Sequence, residues 1–119
     1  MILADTSVWI DHLRRGVPRL SEALGRGEIV LHPFVIGEIA CGNLRNRGEI
    51  LARLVTLSSA PVATDAEALA FLEARRLMGR GLGWIDVHLL AAVTLSPGMR
   101  LWTMDARLAD AAVDLGVRA

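Results

Sequence analysis

Apolar residues in this chain fall into two rhythms, short unbroken runs and helical stripes, and their alternation sets the expected fold. Ile2, Leu3 and Ala4 form a run that stops abruptly on Asp5, Thr6 and Ser7. So short a run, followed by a good capping residue in Ser7, predicts a buried strand feeding a helix over residues 8–14. Pro18 suits the first position of a second helix reaching about Leu24, and Gly25-Arg26-Gly27 ends it. Ile29-Val30-Leu31 predicts a second strand, closed by His32-Pro33, with a helix over residues 34–44. The following turn, residues 43–48, is polar, and Ile50, Leu51, Leu54 and Leu57 resume the helical period over residues 49–57.

In the second half, residues 58–61 predict a loop and Val62-Ala63 a minimal third strand. Thr64-Asp65-Ala66-Glu67 has the spacing of a capping box, so a helix is expected over residues 65–78, with Gly79 at its end. Gly79, Gly81 and Gly83 predict a flexible connection. Trp84-Ile85-Asp86 then opens an almost wholly apolar helix that stops at Ser96-Pro97-Gly98. A strand over residues 99–103, an amphipathic helix over 105–115 and a terminal strand beginning at Val117 complete the pattern. Strands alternating with helices predict an α/β fold with a parallel sheet and helices on both faces. No repeat or linker divides residues 1–119, so one domain is expected.

Composition changes this picture little. A chain of 119 residues, 53% of them hydrophobic, can bury a core without staples, and some apolar surface is expected to meet a partner. The single cysteine, Cys41, excludes an intrachain disulfide, and His12, His32 and His88 have no spacing that would build a zinc site with it. Residues 1–10 lack a basic leader and no apolar run approaches a membrane span, so a cytoplasmic location is expected. Net charge is zero, which gives no overall electrostatic attraction to nucleic acid. All 13 basic residues are arginine, a bias that suits phosphate contacts but also follows from a G+C-rich coding sequence.

The carboxylates are more informative. Asp11, Glu22, Glu49, Glu67, Glu73, Asp110 and Asp114 have polar neighbours on helices and fit a solvated surface. Glu38 instead stands alone among Val35, Ile36, Gly37, Ile39, Ala40 and Cys41, where a helix apolar nearly all round is normally buried and its acid needs a partner or a cation. Asp86 heads an apolar helix and reads equally as a helix cap or as a site residue. His88 on the same helix reads as a satisfied core or interface histidine. Asp105 follows a strand and precedes a helix, repeating the setting of Asp5, so two parallel strands would deliver both acids to one carboxyl edge, with the hydroxyls of Thr6, Ser7 and Thr103 nearby. Two carboxylates 4 Å apart repel by roughly 4 kcal/mol at an effective dielectric near 20, so four in a cleft require a counterion. An oxygen-only donor set favours Mg²⁺ or Mn²⁺ over zinc and suits phosphodiester hydrolysis.

At these residues the sequence resembles the PIN-domain ribonucleases, in particular the toxins of VapBC-type toxin–antitoxin modules. The resemblance rests on Leu3-Ala4-Asp5-Thr6-Ser7-Val8-Trp9-Ile10, on Glu38, on the run from Gly83 and Trp84-Ile85-Asp86 to Ala92, and on Leu101-Trp102-Thr103-Met104-Asp105. It implies a three-layer α/β/α sandwich and an acidic quartet, Asp5, Glu38, Asp86 and Asp105, that binds Mg²⁺ or Mn²⁺ and cleaves single-stranded RNA. Thr103 falls at the family's hydroxyl position two residues before the last acid. The resemblance also implies a homodimer neutralised by an antitoxin peptide. RNA phosphates would then be met by local arginines such as Arg14, Arg15, Arg45, Arg47, Arg75, Arg76 or Arg80, while Trp9 and Trp84 are open to base-stacking, antitoxin, core or dimer roles.

Two other classes compete. A receiver-like signalling module would use Asp5 or Asp105 as phosphoacceptor, and the absence of lysine speaks against it. A catalytically silent binding protein would use its apolar surface for assembly. Nucleotide binding ranks lower, because the chain has no P-loop and Gly79 to Gly83 lack the preceding strand and spacing of a dinucleotide fingerprint.

Overall fold

The computed structural model describes all 119 residues. Four short strands, β1 (Ile2–Ala4), β2 (Ile29–Leu31), β3 (Ser58–Ser59) and β4 (Arg100–Trp102), form one parallel sheet in the order β3-β2-β1-β4. Seven helices flank it: α1 (Thr6–Arg15), α2 (Pro18–Gly25), α3 (Pro33–Ala40), α4 (Arg47–Leu54), α5 (Asp65–Arg75), α6 (Trp84–Thr94) and α7 (Ala106–Asp114). The result is a three-layer α/β/α sandwich. From β1 the chain works outward through β2 to β3, then crosses back to lay β4 on the other side of β1. The carboxyl ends of β1 and β4 therefore flank the point where the winding reverses, which is where open α/β sheets hold their ligands.

The strands lie where the apolar runs are most deeply buried. Leu3 and Ala4 are fully inaccessible and Ile29, Val30 and Leu31 nearly so, as expected of parallel strands covered on both faces. With Val8, Leu20, Val35, Ile39, Leu89, Leu90, Leu101 and Leu108 they belong to a core cluster of 23 buried residues. The apolar α6 is buried along its whole run from Val87 to Val93. No helix is long and apolar enough to cross a membrane.

Several boundaries differ from the sequence pattern, each for a local reason. Helix α1 starts at Thr6 and is capped by Asp5, whose Oδ1 accepts the Val8 N–H at 3.2 Å; Ser7, expected as the cap, lies inside the helix and uses its hydroxyl elsewhere. Helix α3 stops at Ala40, because Arg47 folds back and donates Nε and Nη2 to the Ala40 carbonyl at 2.9 and 2.8 Å. Helix α5 ends at Arg75, as Arg76 turns left-handed (φ 53°) and the Leu77 N–H closes on the Leu72 carbonyl, burying Leu77. The third strand is Ser58–Ser59 and not Val62-Ala63. Its two exposed serines pair with Val30 and Leu31 at the sheet edge, so backbone hydrogen bonds and not apolar pattern define it. Near the terminus a single parallel bridge joins Arg118 to Leu101.

Candidate functional site

Asp5 leaves β1 with its backbone N–H on the Trp102 carbonyl at 2.9 Å, which ties it to the end of β4. Its side chain is nearly buried and engaged at both oxygens: Ser7 donates to Oδ1, Thr103 donates to Oδ2, and the Val8 N–H reaches Oδ1. Burial pushes the Asp5 carboxyl above the usual aspartate range, against the opposing pull of the Ser7, Thr103 and Val8 hydrogen bonds. The same hydroxyls reach the loop after β4. Ser7 Oγ accepts the Met104 N–H at 2.9 Å, and Thr103 Oγ1 accepts the Asp105 N–H at 3.0 Å. Thr103 thus links Asp5 to Asp105 directly, as its place two residues before the acid allows.

Asp105 caps α7, its Oδ1 accepting the Arg107 and Leu108 N–H groups at 2.9 and 3.1 Å. Asp86, half-buried in the first turn of α6, accepts the Gly83 N–H at 2.8 Å. Its carboxyl is pushed up by burial first and further by the charges of Asp105 and Asp5, with the Gly83 hydrogen bond pulling the other way. Asp86 is therefore within electrostatic reach of both Asp5 and Asp105, and no arginine or histidine pairs with any of the three. Asp86 and Asp105 each serve as a helix-terminal acceptor as well, so capping and membership of the acid group coexist in the same residues.

Glu38 corrects the expectation of a buried acid. Helix α3 turns Val35 and Ile39 into the core and presents Gly37 and Glu38 to solvent. The residue still has a partner on the α1 side, since Thr6 Oγ1 donates to Glu38 Oε1 at 2.6 Å. Thr6, next to Asp5, joins α3 to the β1 exit. As the side chains stand, no three His, Cys, Asp or Glu groups are gathered tightly enough to hold a metal ion. In donor type and charge the four acids fit a hard cation: all are oxygen ligands, and the Asp86 carboxyl already registers its neighbours' uncompensated charge.

His88 is buried, but it is not satisfied. Its Nε2 lies 3.3 Å from Asp65 Oδ1 without hydrogen-bond geometry, and neither ring nitrogen has a partner. It packs edge-on against Trp84 and Phe34, with centroids 4.7 and 4.8 Å away. His32 caps α3 through Nδ1, which accepts the Phe34 N–H at 3.1 Å. Burial, with a smaller contribution from His88, holds the His32 pKa down to about 4. Trp9 is a core residue, whereas Trp84 is 40% exposed. A cleft of about 440 Å³ lies apart from the acids, walled by Trp9, Leu13, Leu24, Ile50, Leu54 and Leu57.

A doubly wound parallel sheet with carboxylates at its switch point defines a class of α/β proteins. The chain belongs within it to the PIN-domain family, whose description matches residues 2–114. Ribonuclease VapC32 of Mycobacterium tuberculosis, from strains CDC 1551 / Oshkosh and ATCC 25618 / H37Rv, is 50% identical over 117 residues, covering 98% of this chain and 94% of its own. The crystal structure of PAE2754 from Pyrobaculum aerophilum superposes with a TM-score of 0.66 at 15% identity, over 98% of this chain and 96% of that one, a likeness of fold. The VapC-type resemblance read from the sequence stands.

Proposed function

We propose that this chain is a divalent-cation-dependent endoribonuclease that cleaves single-stranded RNA, the toxin of a toxin–antitoxin pair neutralised by its cognate protein antitoxin. The observation that carries this reading is the group of carboxylates from β1, α6 and α7, with no cation paired to them, at the switch point of a chain half identical to a protein named as a ribonuclease. Asp5, Glu38, Asp86 and Asp105 are the residues that would hold Mg²⁺ or Mn²⁺. When bound, the cation offsets their repulsion, polarises the phosphoryl oxygen and lowers the pKa of water.

The chain's own contribution is orientation. Ser7 and Thr103 fix both oxygens of Asp5, Thr6 steers Glu38 toward the β1 exit, and the Asp105 N–H on Thr103 holds the start of α7 against that network. Exposed Val55, Leu69, Met78 and Val113 favour protein contacts, in keeping with antitoxin binding and a homodimer. The cytoplasm is the compartment this role requires, and a free, exposed Cys41 suits it.

Cleavage of a labelled single-stranded RNA panel in Mg²⁺, Mn²⁺ or EDTA tests the reading. The wild type is expected to cut only with a divalent cation, and Glu38→Gln, at an exposed position that spares the core, to lose at least 100-fold in rate, on the scale of a lost positioning contact. Cleavage that persists in EDTA and in Glu38→Gln would overturn it.

A further inference from the structure

RNA approaching four acids in a protein of zero net charge needs a local cation, and the arginines are mostly committed elsewhere. Arg15, Arg53 and Arg80 pair with Asp11, Glu49 and Asp114; Arg47 and Arg100 donate to backbone carbonyls; Arg19 lies over Trp102 and Arg75 over Phe71. Arg14, Arg26, Arg45, Arg76 and Arg118 are unpaired, as is Arg107, but of these free arginines only Arg107 stands within two residues of one of the four acids. It sits two residues beyond Asp105 on the first turn of α7, is exposed, and its guanidinium makes no hydrogen bond or ion pair with the protein. Its side chain packs against Gly81. A Cβ there would come within 2.7 Å of Arg107 Cδ and Nη1, so the arginine takes this position over a glycine and would have to shift over any other residue. Gly81 has a left-handed backbone (φ 77°) and belongs to the connection whose Gly83 N–H is held by Asp86. The contact joins the two segments that carry Asp105 and Asp86.

Resting on the ribonuclease reading, we infer that Arg107 is a substrate-positioning residue, seated on Gly81 so that its free guanidinium binds a phosphate of the RNA strand at the rim of the acid group. A planar guanidinium held on one side and open on the other suits bidentate phosphate contact. Its charge is left unspent by the protein, which is what a phosphate ligand requires.

The test uses the full chain with Glu38→Gln as parent, and measures binding of a labelled single-stranded RNA by fluorescence anisotropy at several salt concentrations. Adding Arg107→Ala is expected to weaken binding about tenfold and to reduce the slope of log K against log salt by about 0.7, the loss of one phosphate contact on a single strand. Arg107→Lys should keep the slope while losing part of the affinity. Gly81→Ala crowds the arginine but also strains the left-handed turn, so it is read against Arg107→Ala: it should weaken binding in the parent and weaken it no further in the Arg107→Ala background. In the otherwise wild-type enzyme Arg107→Ala should raise KM more than it lowers kcat. Affinity and salt slope equal to the parent's in Arg107→Ala would overturn the inference, as they would if the arginine served protein contacts. A parent that binds no single-stranded RNA overturns the inference, whereas wild-type cleavage that persists in EDTA and in Glu38→Gln overturns the divalent-cation reading alone.

Discussion

Asp86 sets stability against chemistry within one side chain. It gains from the Gly83 N–H and from the first turn of α6, yet burial and the charges of Asp105 and Asp5 raise its pKa. A raised folded-state pKa means that the folded protein holds this proton more readily than the unfolded chain does. The associated stability is present below the unfolded value and is lost as pH rises through the folded one, so at neutral pH the ionised Asp86 costs stability. Asp86→Asn keeps an oxygen for the Gly83 N–H and removes the charge. Because the side chain is only half-buried, solvent screening limits the gain to about 0.5–1 kcal/mol, or roughly 2–4 °C in EDTA at pH 7. The variant should melt higher and cleave nothing, and a melting temperature equal to or below the wild type's would show that repulsion at this site is negligible. At this scale the sequence was legible where an acid ends an apolar run, as at Asp5 and Asp105. Glu38 was singled out as an enclosed acid, whereas it is exposed and held by Thr6. Arg107 carried no sequence signal, because its placement depends on a contact with Gly81, remote along the chain.

His32 shows how one residue can close one element and open the next. It ends β2, caps α3 through Nδ1 and is fully buried with Nε2 unpartnered, which is why its pKa falls to about 4 from 6.5. The folded state keeps a neutral imidazole while the unfolded chain takes up a proton, so stability is intact above pH 6.5 and is lost as pH falls toward 4, by up to about 3 kcal/mol. The raised carboxyls of Asp5 and Asp86 act in the opposite sense, so the informative comparison is with His32→Asn, which retains them and keeps a capping acceptor. Between pH 7 and 4 its melting temperature should fall less steeply than the wild type's; parallel curves would mean that the imidazole does not titrate differently on unfolding. Among the elements, those with apolar stripes or runs could be read from the pattern, including β1, β2, β4 and all seven helices. Strand β3 could not, since two exposed serines carry no hydrophobic period and are strand only by pairing with Val30 and Leu31. Helix ends slipped where a distant side chain intervenes, as Arg47 does at Ala40.

For the whole molecule, the winding order matters more than any single element. Reversal at β1 brings the exits of the first and last strands side by side, and α6 and α3 approach from positions between them in sequence. A cation held by Asp5, Glu38, Asp86 and Asp105 would therefore tie together segments that the unfolded chain keeps far apart, and would bind the folded state almost exclusively. Ligand linkage then gives about 2.7 kcal/mol of stabilisation at 100 times the dissociation constant, on the order of 10 °C for a domain of this size. Asp105→Asn separates this effect from ordinary capping, because asparagine caps a helix as well as aspartate and leaves α7 anchored. In EDTA the variant should melt close to the wild type, and on titration with Mg²⁺ or Mn²⁺ the wild type should rise while the variant stays within a degree or two. Equal shifts in the two proteins would mean that the cation binds elsewhere, and no shift in either would leave the acid group without the counterion on which the proposed chemistry depends.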